Sequence, residues 1–182
     1  MQKLLHDIAA ALRAIDDSKV PFKNFRPGVG PYGEPQLIRG VVANLKFMRP
    51  ESYLNARTKR EPDVLIPDQW ALEFKIVRPF GDNGKEAEHW SQNLLHPYPG
   101  NVSAIGDVFK LMRSQVRERK GVVAIGYEHA PAVIAIDPLI DAFEQVTREV
   151  LRLPLGRRCT TQVESLVHPV HQTAKLFGWE VG

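Results

Sequence analysis

The chain has almost no cysteine, no long apolar run and no charge of one prevailing sign. Its single cysteine, Cys159, excludes an internal disulfide framework and suits a reducing, cytoplasmic setting. No apolar stretch reaches membrane length, and the first residues lack the pattern of a signal peptide. The 24 Lys and Arg stand against 21 Asp and Glu, a net +3, so composition permits a nucleic-acid partner without demanding one. Internal repeats and low-complexity tracts are missing too. What remains is 182 residues with 43% hydrophobic and 25% charged content, the profile of one globular domain able to bury a core.

Periodicity divides the chain. Residues 2–17 predict an amphipathic helix with Leu4, Leu5, Ile8, Leu12 and Ile15 on one stripe, and Asp7, Asp16 and Asp17 argue against a transit sequence. A Pro- and Gly-rich connector over 21–33 is long enough to count as a functional candidate. Glu34-Pro35 opens a second helix whose buried face runs from Leu37 to Met48, and Arg49-Pro50 ends it. Residues 52–58 predict a first strand. An irregular stretch over 79–100 precedes a long helix over 102–119, with Val102, Ile105, Phe109, Met112 and Val116 inward and Gly121 as its stop. Strands follow over 122–127 and 132–136. Asp137 and Pro138 then cap and open a helix carrying Leu139, Ile140, Phe143, Val146 and Val150. The tail from Gln162 reads as two strands around His168-Pro169-Val170-His171.

The densest chemistry lies between. Pro62-Asp63 opens the apolar run Val64-Leu65-Ile66, Pro67-Asp68 supplies turn residues, and Trp70 to Ile76 alternates. Trp70, Leu72, Phe74 and Ile76 share one face, leaving Glu73 and Lys75 on the other with Asp63 in reach across a hairpin. Each signal alone is bland, since a Glu-x-Lys strand face is usually solvated and weakly paired. Together they form a carboxylate pair beside a cation, able to hold a divalent metal.

Pro62-Asp63 and Glu73-Phe74-Lys75 resemble the PD-(D/E)XK nuclease superfamily, and the order helix, strand, strand, strand, helix, strand extends the likeness over residues 34–127. The resemblance implies an α/β, restriction-endonuclease-like mixed central sheet flanked by helices, with helix 2–17 and strands over 162–181 as additions to the core. It also implies a metal-dependent phosphodiesterase acting on nucleic acid, DNA preferred over RNA, with Mg²⁺ (or Mn²⁺) as cofactor. Asp63, Glu73 and the Phe74 carbonyl would be metal ligands and Lys75 the orienting cation. Glu34 is the positional match for an added acidic residue, against a plain helix-start charge; Glu51 and Glu61 are weaker substitutes.

Further candidates surround this motif. Arg78, Lys110, Arg113 and Arg117 are candidate phosphate contacts, with Ser103, Asp107 and Ser114 on the same helix stripe; a solvated face is the alternative, favoured for Arg119 and Lys120. His89, Trp90, His96 and Tyr98 form either a lid or a loop with inward aromatics. His168 and His171 read as a buried structural pair rather than a zinc site, and Cys159 has no nucleophile pattern around it. No base-reading module is evident, so specificity would come from loops, a homodimer or a protein partner. Two rival functions stay open: a catalytically inactive nuclease-fold module binding nucleic acid or protein, and a different hydrolase built on the two histidines.

Overall fold

The computed structural model describes residues 1–96 and 103–182. Among these residues thirteen segments of regular structure include six strands, all in one mixed sheet of order β1-β2-β3-β4-β6-β5. In chain order the elements are α1 (Gln2–Asp17), α2 (Glu34–Met48), α3 (Pro50–Tyr53), β1 (Arg57–Thr58), β2 (Val64–Ile66), β3 (Trp70–Val77) and α4 (Gln92–Leu95). Then come α5 (Ala104–Arg113), β4 (Arg119–Glu128), α6 (Asp137–Gln145) with a wide π-helical turn over Val146–Val150, β5 (Cys159–Val163) and β6 (Thr173–Val181). Strands β3 and β4 run parallel; every other pair is antiparallel. The coarse expectation of a mixed sheet flanked by helices is met.

Each face of the sheet has its own core, because alternate residues point to opposite sides. Trp70, Leu72, Phe74 and Ile76 of β3 pack with Val123, Ile125 and Leu176 beneath α1 and α2. The opposite face buries Val122, Ala124, Phe177 and Trp179 against Ile105 and Val108 of α5 and Phe143 of α6. The C-terminal strands extend the same sheet, with β6 lying between β4 and β5.

The β2–β3 turn forms as its residues dictate. Gln69 N–H donates to Ile66 C=O at 3.0 Å, and Asp68 takes the left-handed position (φ 62°) that aspartate tolerates after a proline. Register follows: Val64 faces Leu72 and Ile66 faces Trp70.

Several expectations fail, each for a local reason. The strand expected over 52–58 shrinks to Arg57–Thr58, because Pro50 opens a helical turn that buries Tyr53 and brings its hydroxyl to Asp7 Oδ2 at 2.6 Å. The helix expected over 102–119 is α5 alone. Ser103 caps it, its Oγ accepting Gly106 N–H at 3.1 Å, and Ser114 turns extended at its end. Residues 119–121 are drawn instead into the parallel ladder, Arg119 opposite Trp70 and Gly121 opposite Leu72. Gly121 is thus a close-packed strand residue, where a Cβ would lie 3.1 Å from the Trp179 carbonyl, rather than a helix stop. The buried stripe of α5 is Ala104, Ile105, Val108 and Leu111, while Met112 is 43% exposed. No strand covers 132–136, whose Ile136 N–H is taken by Glu128 Oε1 at 2.7 Å. Asp137 lies within α6 and Ile136 is its cap; the π-helical turn that follows leaves Val150 69% exposed instead of inward. The tail's first strand begins at Cys159, before Gln162. Val102, Tyr98 and the prolines and glycine at 97, 99 and 100 lie outside the described residues.

Candidate active site at the free edge of strand β3

The site exists because β2 is short. It pairs with β3 only as far as Leu72, so the rest of β3 on that side is an unpaired edge whose backbone groups need partners. Side chains supply them. Asp63 Oδ2 accepts Phe74 N–H at 2.8 Å, and Lys75 Nζ donates to Phe74 C=O at 2.9 Å. Glu34, at the start of α2, accepts a backbone hydrogen bond from Ile76, and Asn93 of α4 donates to Ile76 C=O at 3.1 Å. Blocking an edge against further pairing and gathering charged groups are here one and the same construction.

The Glu-x-Lys face is not solvated. Glu73 is 4% and Lys75 7% exposed, because α5 lies over this face of β3. From α5, Asp107 reaches Lys75 Nζ at 2.8 Å and Lys110 Nζ at 2.7 Å, while Glu34 stands 3.7 Å from Lys75 Nζ. Four expected residues, Glu34, Asp63, Glu73 and Lys75, therefore converge.

Electrostatics separates their roles. Burial, then the neighbouring Asp63 and Asp107, push the Glu73 carboxyl up to about 9, and its proton is shared in a hydrogen bond with Asp63. Burial also raises Glu34, against the pull of Lys75. Burial works against the Lys75 ammonium, but Asp107 and Glu34 outweigh it and hold its pKa above the ordinary lysine value. Burial raises Asp107 as well, with Lys75 and Lys110 opposing.

Asp107 was the residue sequence reasoning missed. It sat on a helix stripe counted as polar, whereas it is fully buried and joins both lysines. Only an Asp–Lys spacing of three on a helix hinted at one of its pairs.

Other candidates fall elsewhere. Lys110 and Arg113 line a cleft of about 370 Å³ that reaches Glu73, with Glu61 at its rim. Arg117 lies past the end of α5, exposed in the connector to β4. Arg78 does not join the cluster: its guanidinium donates to the Tyr32 carbonyl and lies 5.4 Å over the Tyr127 ring. Glu51 is exposed on α3. Arg119 pairs with Glu180 at 2.7 Å, and Lys120 donates to Ser114 C=O. His89 is exposed and Trp90 half-buried against the α5–α6 core. His168 and His171 are fully buried, their rings stacked at 4.7 Å, with Asp82 and Asp16 the carboxylates that act on His168.

A divalent cation can be tested against this donor set. Two carboxyls forced together, one holding a proton far above its ordinary range, are the arrangement a dication relieves. All-oxygen donors suit Mg²⁺, which needs only one or two carboxylates and keeps its waters. Among the described residues no group of three or more His, Cys, Asp or Glu is arranged to hold an ion. Among the same residues no helix is long and apolar enough to cross a membrane. No family model, curated protein or solved structure matches the chain.

Proposed function

We propose that this chain is a metal-dependent nuclease with a restriction-endonuclease-like core, hydrolysing phosphodiester bonds, with DNA preferred and Mg²⁺ or Mn²⁺ as cofactor. One observation carries the reading: Asp63 and Glu73 are pressed together at a free sheet edge with Lys75 and Glu34 alongside. Asp63, Glu73 and the Phe74 carbonyl would hold the metal. When bound, it supplies charge neutralisation at the phosphate and a more acidic water.

The chain's own groups do the rest. Lys75, kept protonated by Asp107 and Glu34, orients an anionic phosphate or the attacking water and is not the proton acceptor. Asp107 acts through Lys75 and is a positioning residue. Glu34, fixed by the Ile76 N–H and raised by burial, is the acid placed to exchange a proton at the same edge. Lys110 and Arg113 offer charge to flanking phosphates.

The test is metal-dependent nicking of supercoiled plasmid. Asp63→Ala, Glu73→Ala and Lys75→Ala should each lose it while far-UV circular dichroism stays unchanged; full activity in Glu73→Ala would remove the mechanism. A second reading, an inactive nuclease-fold module binding nucleic acid or protein, draws on the internal pairing of Asp107 with both lysines. Retention on DNA with no metal-dependent nicking would favour it.

A further inference from the structure

A second cleft reaches the paired carboxyls at Asp63. It measures about 280 Å³ and is lined by Glu34, Arg39, Thr58, Lys59, Arg60 and Asp63. Its cations come from two elements. Arg39 lies on α2, five residues beyond Glu34. Lys59 and Arg60 lie in the β1–β2 connection, where Lys59 N–H donates to Asp63 C=O at 3.0 Å and so ties this turn to the site.

All three side chains are exposed. Two acids line the same cleft, and both are engaged: Glu34 stands 3.7 Å from Lys75 Nζ and Asp63 Oδ2 accepts Phe74 N–H. Among the described residues no carboxylate forms an ion pair with Arg39, Lys59 or Arg60. Several other basic side chains are matched: Arg119 with Glu180, Arg158 with Glu144 and Lys175 with Glu128. Unmatched like charges lining one concave surface repel one another, and an anion relieves that repulsion.

The two clefts reach different members of the carboxyl pair. The Lys110–Arg113 cleft touches Glu73, and the Arg39–Lys59–Arg60 cleft touches Asp63. A chain of phosphates laid through both crosses the pair with cations before and after it. A strand held on both sides of the scissile position needs no chain end at the site. Here both sides are surface clefts lined by basic residues.

We propose that Arg39, Lys59 and Arg60 form a second phosphate-binding arm opposite Lys110 and Arg113, so that a nucleic-acid strand passes through the site and is cut internally. This rests on the nuclease reading above. It adds three binding residues and chooses endonuclease over exonuclease.

Two measurements test it. First, covalently closed circular DNA, which has no ends, is compared with the same DNA linearised, both with Mg²⁺. Internal cutting of both forms is expected; mononucleotide release from the linear form with the circle left intact overturns passage through the site. Second, binding to DNA is measured across salt concentrations in EDTA. The triple variant Arg39→Ala/Lys59→Ala/Arg60→Ala should bind at least about tenfold more weakly at 0.1 M salt, with a log–log salt slope shallower by about 0.9 per lost duplex contact. Wild-type affinity and slope in that variant, with its thermal midpoint unchanged, would overturn the arm. Failure of the wild-type protein to cut either DNA form sinks the nuclease reading and internal cleavage with it, while the salt slope still decides whether the arm binds phosphate.

Discussion

Two of the polar clusters buried among the described residues are built on opposite logic. At the β3 edge, carboxyls crowd one another: Glu73 meets Asp63 and Asp107, and its proton is held up to about 9. Around His168 and His171 the partners that exist are largely backbone groups, while among the described residues His168 Nε2, His171 Nδ1 and the Tyr127 hydroxyl are buried without one. Asp16 accepts Val29 N–H at 2.9 Å and Val167 N–H at 2.8 Å, His168 Nδ1 accepts two N–H groups at 3.3 Å, and His171 Nε2 donates to Phe80 C=O at 3.0 Å. Glycines wall it in: a Cβ on Gly28 would sit 2.7 Å from His168 N, and one on Gly30 would run into the His171 ring. Burial of polar groups therefore says little about function until their partners are known. Like-charge crowding beside open clefts marks a site poised for a ligand, and backbone pairing marks a staple.

The largest effects should separate the two by kind. Lys75→Ala should lose cleavage and also melt lower, since it strands the buried Asp107 carboxyl. Asp63→Asn should lower metal-dependent cleavage by about 10²–10³ or more, the scale of losing a charge-stabilising group, with the melting temperature little changed because the amide oxygen still accepts Phe74 N–H. Asp16→Ala should do the reverse. Removing its carboxylate leaves two N–H groups without their acceptor at a fully buried position, for a cost of ~3 kcal/mol. Calorimetry should show Tm falling by roughly 2–4 °C for each kcal/mol. Gly30→Ala comes next, an overpacking of ~1–3 kcal/mol against the His171 ring. If Asp16→Ala melted like wild type but lost cleavage, the contrast would fail, and the histidine cluster would belong to the active site.

How far the sequence reached follows from which interactions are local. Period-two alternation from Trp70 to Ile76 and the Pro67-Asp68 turn are encoded within a few residues, so the hairpin and its register were legible. The convergence of Asp63, Glu73 and Lys75 follows from that hairpin, and Glu34 from a helix start. Asp107 was not legible as a site residue, because its partner Lys75 lies on another element and burial by α5 is a tertiary event. The same holds for Arg119 to Gly121, where helix propensity lost to pairing with Trp70 to Leu72. Arg78 looked like a phosphate ligand only because its tie to Tyr32 crosses 46 residues of chain.

Glu73→Gln sharpens the contrast through pH. In the unfolded chain this carboxyl ionises near 4.5, in the metal-free fold near 9, so unfolding releases a proton between those values. Its stabilising contribution is complete below pH 4.5 and drains away as pH rises toward 9. The neutral amide removes that dependence. In EDTA at pH 8 the variant should melt higher than wild type by several degrees, roughly 2–4 °C per kcal/mol recovered, and the two should approach each other near pH 4.5. Identical melting curves at pH 8 would mean that Glu73 is not crowded by its neighbours.

The smallest expected effect concerns His171 and has the opposite sign. Burial, with Arg78, His168 and His129 nearby, holds its imidazole down to about 4 against an ordinary 6.5, even though its bond to Phe80 favours the protonated ring. Unfolding therefore takes up a proton in that window, so stability is complete above pH 6.5 and falls as pH drops toward 4. Glutamine can keep the donor to the Phe80 carbonyl but cannot take the proton. His171→Gln should thus flatten the loss of Tm between pH 6.5 and 4 while leaving metal-dependent cleavage at pH 7.5 intact. An unchanged acid slope would shift the acid sensitivity to other groups, and a loss of cleavage would join the histidine cluster to the active site.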